Sequence, residues 1–149
     1  MTSIPIRQQI MDRVRARLQG ITIANGFSFN LGANVFEWQV TPLQEARLPA
    51  IVYRDAENSI ELIEAHRNRL GVEIEIMTRG DTAITDMRRM IADVYRAIGT
   101  DIQWGALALN TYPQGDRITR EIETQNIVGA LINIMIEFRT REWMPHQQF

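Results

Sequence analysis

A catalytic centre in this chain would have to be built from two histidines, three serines and a few closely spaced carboxylates. A nucleophilic triad needs a hydroxyl held against an imidazole that a carboxylate orients. His66 and His146 are the imidazoles, and Ser3, Ser28 and Ser59 the serines; none of the serines lies in a G-x-S-x-G turn. His66 sits among charged residues just before Arg67 and reads as a solvated loop histidine, and His146 near the C-terminus reads the same way. Cysteine is absent, which removes disulfides, thiolate metal sites and cysteine nucleophiles together and suits an intracellular folding compartment. All 16 basic residues are arginine, so a Schiff-base lysine and a Walker-type lysine are also ruled out.

Glu73 and Glu75 project from the same side of one expected strand, and Glu121 and Glu123 do likewise. A hydrolytic acid/base pair must face across a cleft with separated pKa values, whereas neighbours along one strand form a solvated face. No H-x-x-x-H and no acidic calcium loop occurs, so no metal or cofactor is expected. The glycines at 26 and 32, or 99 and 105, lack the G-x-G-x-x-G or G-K-[ST] context of a phosphate loop. Phe27, Phe29, Phe36 and Trp38 have the type to stack on bases, but no basic residues accompany them, and core packing accounts for them better. The expectation is a protein that is not an enzyme.

A chain of 149 residues with 45% hydrophobic residues is the size of a single domain with its own core. The net charge is −2, with a similar small acid excess in each half and no basic stripe of the kind nucleic-acid binding requires. No stretch approaches the ~20 apolar residues that span a bilayer. The longest, Ile127–Ile136, is broken by Gly129 and Asn133, and the N-terminus has no signal-peptide core. Exclusive use of Arg fits a GC-rich genome, and it equally fits bidentate contacts at subunit interfaces.

The elements follow from periodicity. Ile6, Ile10, Val14 and Leu18, with Met11 beside them, predict a helix over Ile4–Gln19 with Ser3 as N-cap and Gly20 as the stop. Asn25–Gln39 predicts two short strands or an irregular hairpin, ending at Thr41–Pro42. Leu48–Tyr53 reads as a buried strand, Ile60–Ala65 as either strand or helix with strand preferred, and Val72, Ile74 and Ile76 as one face of a half-buried strand. Ile84, Met87, Met90, Ile91, Val94, Tyr95 and Ile98 form one face of a second helix between Asp81 and Gly99, with Asp86, Arg89, Asp93 and Arg96 as a solvated ion-pair ladder. A short strand, Ala106–Tyr112, precedes a protruding polar segment, Pro113–Asn126, with a turn at Gln114–Asp116. Ala130 to Phe138 alternate as a long last strand. The expected fold is α+β: an antiparallel or mixed sheet with two amphipathic helices on one face, residues 1–142 forming one domain and 143–149 a C-terminal arm.

In order and local wording the chain resembles the tail terminator (tail completion) proteins of long-tailed bacteriophages. The resemblance runs from the helix ending in LQGI through LPAIVYRD, RNRLGVEIEIMTRG, DMRRMIADVYRAIGTD and WGALAL to NIVGALINIMIEFRTREWMP. It implies a virion protein at the head-proximal end of the tail, assembled in the host cytoplasm as a ring homo-oligomer, typically a hexamer. Such a ring caps the tail tube, stops its polymerisation and presents a surface to a neck or head-completion protein, and DNA passes through it without specific binding. No membrane, cofactor or catalytic residue is implied.

Cyclic rings need heterologous surfaces anchored by exposed aromatic and Arg residues. The interface candidates are Phe36 and Trp38, Tyr112 and Arg117, and Arg141 and Trp143; each aromatic has the alternative of tucking under its own loop. Glu73, Glu75, Glu121 and Glu123 are candidates to line the channel, where like charge keeps phosphate from adhering. The competing readings are another neck or head–tail connector subunit, and a small-ligand-binding α+β domain.

Overall fold

Strict apolar/polar alternation along Val72–Ile76 and Ala130–Phe138 calls for two strands that each turn one face to a core, and these become the centre of the sheet. The computed structural model describes residues 4–39, 47–121 (of Glu121 the backbone alone) and 127–149. The strands are β1 (Val35–Glu37), β2 (Ala50–Ile63), β3 (Ala65–Arg79), β4 (Asn110–Glu121), β5 (Ile127–Arg141) and β6 (Met144–Gln148). They are ordered β1-β2-β3-β5-β4, and β6 pairs with the end of β5. β3 and β5 run antiparallel with Val72 opposite Ile134 and Ile76 opposite Ala130, so the even-numbered side chains of both strands enter the core together. β1 is parallel to β2 and every other pairing is antiparallel. The sheet is therefore mixed and the fold α+β.

Two helices, α1 (Ile6–Gln19) and α2 (Ala83–Ile98), cover the even-numbered face. Ile6, Ile10, Met11, Val14 and Leu18 are buried along α1, and Met87, Met90, Ile91, Val94 and Ile98 along α2. Each such side chain contributes about 1.5–3 kcal/mol by leaving water, which outweighs the weak helix propensity of the β-branched residues among them. α1 begins two residues later than its pattern predicts, because Pro5 adopts an extended conformation (ψ 145°) and becomes the N-cap residue. Ser3 lies outside the described residues, as does the break at Thr41–Pro42.

Tertiary contacts overturn several local expectations. Phe27 and Phe29 are not in strands: they lie in a loop between two 3₁₀ turns (Ile23–Asn25 and Leu31–Ala33), half-buried against the core. The expected ladder on α2 does not form. Asp93 is only 2% exposed and accepts hydrogen bonds from the backbone N–H groups of Ser28 (3.0 Å) and Phe29 (3.3 Å). Arg96 donates to the Gly26 carbonyl, with its guanidinium 4.6 Å from the Phe27 ring centroid. Helical spacing places these charges correctly, but the Phe27 loop lies over them. The strand expected at Ala106–Tyr112 begins only at Asn110, since Trp104, Gly105 and Ala106 all have φ between 54° and 68° and turn the chain. The expected Pro113 protrusion is instead edge strand as far as Glu121, with the Gln114–Asp116 turn reduced to a bulge at Pro113/Gly115; residues 122–126 lie outside the described residues. The segment 143–149 stays exposed, yet it folds back as β6 against Thr140 and Arg141.

Candidate functional site

Among the described residues the odd-numbered face of β3 and β5 carries no helix, so its side chains show what the fold offers to a partner. Arg54 of β2 lies between Glu73 (Nε–Oε1 3.0 Å) and Glu75 (NH1–Oε2 3.4 Å) of β3. These carboxylates are half-buried neighbours sharing one cation, rather than a plain solvated pair or an acid and base facing across a cleft. Further along, Arg69 is opposite Glu137 and Arg67 opposite Arg139. Arg67 Nε approaches the buried Glu137 Oε1 to 2.5 Å, a contact of charge more than of hydrogen-bond direction. Strand register thus gathers three arginines around one buried carboxylate, although no basic run exists in the sequence. An open groove of about 510 Å³ crosses this face between the β2 bulge (Asp55/Asn58) and the β4 bulge, lined by Ser59, Arg69, Glu73, Gln114, Asn133 and Met135. Among the described residues no three His, Asp or Glu side chains gather to hold a metal.

The six interface candidates fall into three places. Phe36 is half-buried in β1 with the Arg47 guanidinium 5.6 Å from its ring centroid. Trp38 is 54% exposed, held at φ 52° while its Nε1 donates to Asp55 Oδ1 (3.0 Å). Tyr112 and Arg117 are exposed on β4, at the opposite edge of the sheet. Four strand spacings separate the two edges, roughly 19 Å. Arg141 and Trp143 lie at the β5–β6 turn, where Trp143 is 83% exposed and meets His66 edge-on at 5.2 Å between ring centroids. His66 is therefore not a loop residue: it stands in β3, opposite Leu62 and Thr140. His146 is exposed on β6. Glu73 and Glu75 occupy the helix-free face, whereas the Glu121 side chain and Glu123 lie outside the described residues.

Three exposed residues that the pattern did not single out are Ile60, Leu62 and Ile63. They sit where the β2–β3 hairpin extends past the helices, turning at Glu64 with φ 62°. Their signal in the sequence is an apolar run, broken by Glu61, in which Ile60 and Leu62 stand opposite the polar Asn68 and His66 of β3.

At the bulge in the middle of β2, Asp55 ties the sheet to α1. Burial opposes its ionisation, but hydrogen bonds from Trp38 and from Arg7 (Nε–Oδ2 2.7 Å), with the Arg7 charge, outweigh it and hold its pKa below the usual aspartate value. A carboxyl depressed on folding stabilises the protein above its unfolded pKa of about 3.9, and that contribution is lost as pH falls through the folded value. Asp55→Asn is expected to be less stable than wild type at pH 7 and to converge with it on acidification. Denaturant titrations of both proteins from neutral to strongly acidic pH check this, and a gap independent of pH would contradict it.

No protein-family model matches this chain, and no curated protein does. Among solved structures, a chain of the virion of a native gene transfer agent (GTA) particle aligns with 91% of this chain and 92% of its own length, at 11% identity and a TM-score of 0.41. A score that low carries no argument about function, so the α+β class rests on the strand order and helix packing described above.

Proposed function

We propose that this chain is a virion protein that closes a phage tail, forming a ring (a hexamer by the family pattern) on the head-proximal end of the tube. The ring halts tube polymerisation and offers its outer face to a neck or head-completion protein. The family wording from LQGI to TREWMP suggests this role. The observation that carries it is the placement of exposed aromatic and Arg residues on opposite edges of one sheet, Trp38 at one and Tyr112 with Arg117 at the other. Different patches on opposite sides are what a heterologous, ring-closing contact uses. The helix-free face would line the channel, where Arg54 between Glu73 and Glu75, and Arg67, Arg69 and Arg139 beside Glu137, present nearly balanced charge to passing DNA. A ring structure with those side chains on its outer rim would remove the channel assignment.

Negative-stain microscopy of the protein mixed with tail tubes tests the main reading: caps on tube ends support it, and bare ends refute it. Trp143 supplies a sharper version. At 83% exposure its removal is expected to change folding stability by no more than about 0.5 kcal/mol. As an interface anchor worth about 2 kcal/mol, its loss in Trp143→Ala is expected to weaken ring formation or tube capping roughly 30-fold. Unchanged capping would mean that Trp143 touches neither a neighbouring copy nor the tube.

A further inference from the structure

The sheet ends in two unpaired edges. Among the described residues, β1 covers β2 only at Ile51–Tyr53, so the outer side of β2 from Asn58 to Ile63 has no strand partner. On the far side, β4 and β6 both pair with β5; among the described residues the outer side of β4 has no strand partner, while β6 lies beside α1 and its Gln148 Nε2 donates to the Ala106 carbonyl. Natural proteins blunt such edges with proline, charged side chains or bulges. Residues 58–63 contain no proline and one charge, Glu61, and expose Ile60 (57%), Leu62 (60%) and Ile63 (48%). An open edge with this much exposed apolar surface marks a surface that another chain covers.

Three features of the sheet point to a second copy of this chain. The first is height. Ser59 is level with Asn110 through Arg69 and Glu137, and Leu62 is level with Gln148 through His66 and Thr140. The open part of β2 therefore lies at the same level as the start of β4 and the whole of β6. The second is chemistry. Ile60, Leu62 and Ile63 are exposed on one edge, while Leu109, Met144 and Phe149 are exposed at that height on the other. The third is direction. Between the two edges run β2, β3, β5 and β4, each antiparallel to the next, so the two edge strands point opposite ways. Copies related by rotation about an axis along the strands then meet as an antiparallel pair, continuing the alternation from one subunit into the next.

We infer that the β2 edge of one subunit, Asn58–Ile63, adds as a strand to the β4/β6 edge of the next, so that the subunits share one continuous sheet. The inference rests on the ring in the proposed function but not on its place on a tail. It makes the β2–β3 hairpin the donor and the Asn110 end of β4, with β6, the acceptor. Main-chain hydrogen bonds supply the pairing, and the apolar side chains select the partner.

Because the chain has no cysteine, introduced pairs report the contact directly. Ser59→Cys is combined in turn with Asn110→Cys, Tyr112→Cys and Gln148→Cys, which scans the register. Within one subunit these edges are roughly 14 Å apart or more at three strand spacings, too far for an internal disulfide. After mild oxidation, a ladder of covalent oligomers on a non-reducing denaturing gel is expected for at least one pair, with each single variant staying monomeric. No ladder for any pair overturns the inference. Dimers from Ser59→Cys alone overturn it as well, since they mean that two β2 edges meet about a two-fold axis. Leu62→Arg, at an exposed position, is expected to fold normally and lose at least tenfold in oligomer formation; unchanged oligomerisation counts against the edge contact. The two proposals fail separately. Caps on tubes without a ladder remove the shared sheet and leave the tail reading standing, while a ladder without caps does the reverse.

Discussion

Replacing Trp104 with alanine is expected to lower folding stability by about 4 kcal/mol, the middle of the range for removing a buried tryptophan. The indole is fully buried, and its Nε1 donates to Thr111 Oγ1 (2.7 Å), which passes the bond on to the Ile102 carbonyl (2.7 Å). The Arg17 guanidinium lies 4.0 Å from the ring centroid and donates to the carbonyls of Ile98 and Asp101, so α1, the end of α2 and the start of β4 all meet on this one side chain. The backbone around it is built for that purpose. Trp104 and Gly105 both have positive φ, and a Cβ at Gly105 would collide with the Arg13 guanidinium. Removing the ring leaves a cavity, a Thr111 hydroxyl that keeps its bond to Ile102 but loses the indole donor, and a partly buried arginine without its aromatic partner. With domains stable by 5–15 kcal/mol in general, such a loss takes a quarter or more of the total. Guanidinium denaturation with an unchanged m-value measures it. A loss below about 1.5 kcal/mol would mean that Thr111 and Arg17 do not depend on the indole.

The second large effect is expected at Asp93. Its Oδ2 accepts from the N–H groups of both Ser28 and Phe29, fixing the loop that lays Phe27 and Phe29 against the core. Hydrogen bonds to a charged group contribute about 1.5–3 kcal/mol, and Asp93→Ala leaves two donors to find other partners. A loss of about 3 kcal/mol is expected. Asp93→Asn keeps an acceptor oxygen of the same reach and should lose about 1 kcal/mol, a comparison that separates the hydrogen bonds from side-chain volume. If both variants stay within 0.5 kcal/mol of wild type, the loop is held by Phe27 and Phe29 alone. Ordinary surface substitutions on α2 fall in that range, so the experiment also tells a buried carboxylate from the solvated ladder that helical spacing suggests.

Trp104 and Asp93 show where reading the sequence stopped short. Trp104 stands just before Gly105 in a short, largely apolar stretch (IQWGALAL) outside any periodic element, and its burial follows from Arg17 and Thr111, which are distant in sequence or out of phase with it. Asp93 has a solvated charge's spacing along α2, and only the Phe27 loop crossing above it makes it internal. Local pattern reports which face of an element is apolar; it says nothing about what lies over the margin of that face.

The same limit applies to the candidate surface. Trp38, Tyr112, Arg117 and Trp143 were identifiable as aromatic or Arg residues in irregular or polar segments, and all four are exposed. Ile60 and Leu62 were not, because an apolar pair in a strand ordinarily means core. They are exposed because the hairpin outruns the helices that would cover it.

By itself the sequence determined the two amphipathic helices, the long central strands and the α+β class, since apolar periods of 3.6 and 2 can each be satisfied in one way. It also determined that chemistry based on cysteine or lysine is impossible. Tertiary structure alone decided that β4 is an edge strand, not a protrusion, that the C-terminal arm pairs as β6 with the end of β5, and that Arg67, Arg69 and Arg139 stand beside Glu137. It also decided that two open edges stand at matching height. The physical reason is that register and strand order come from pairing between distant segments, where hydrogen bonds and burial are shared by residues that no local window contains.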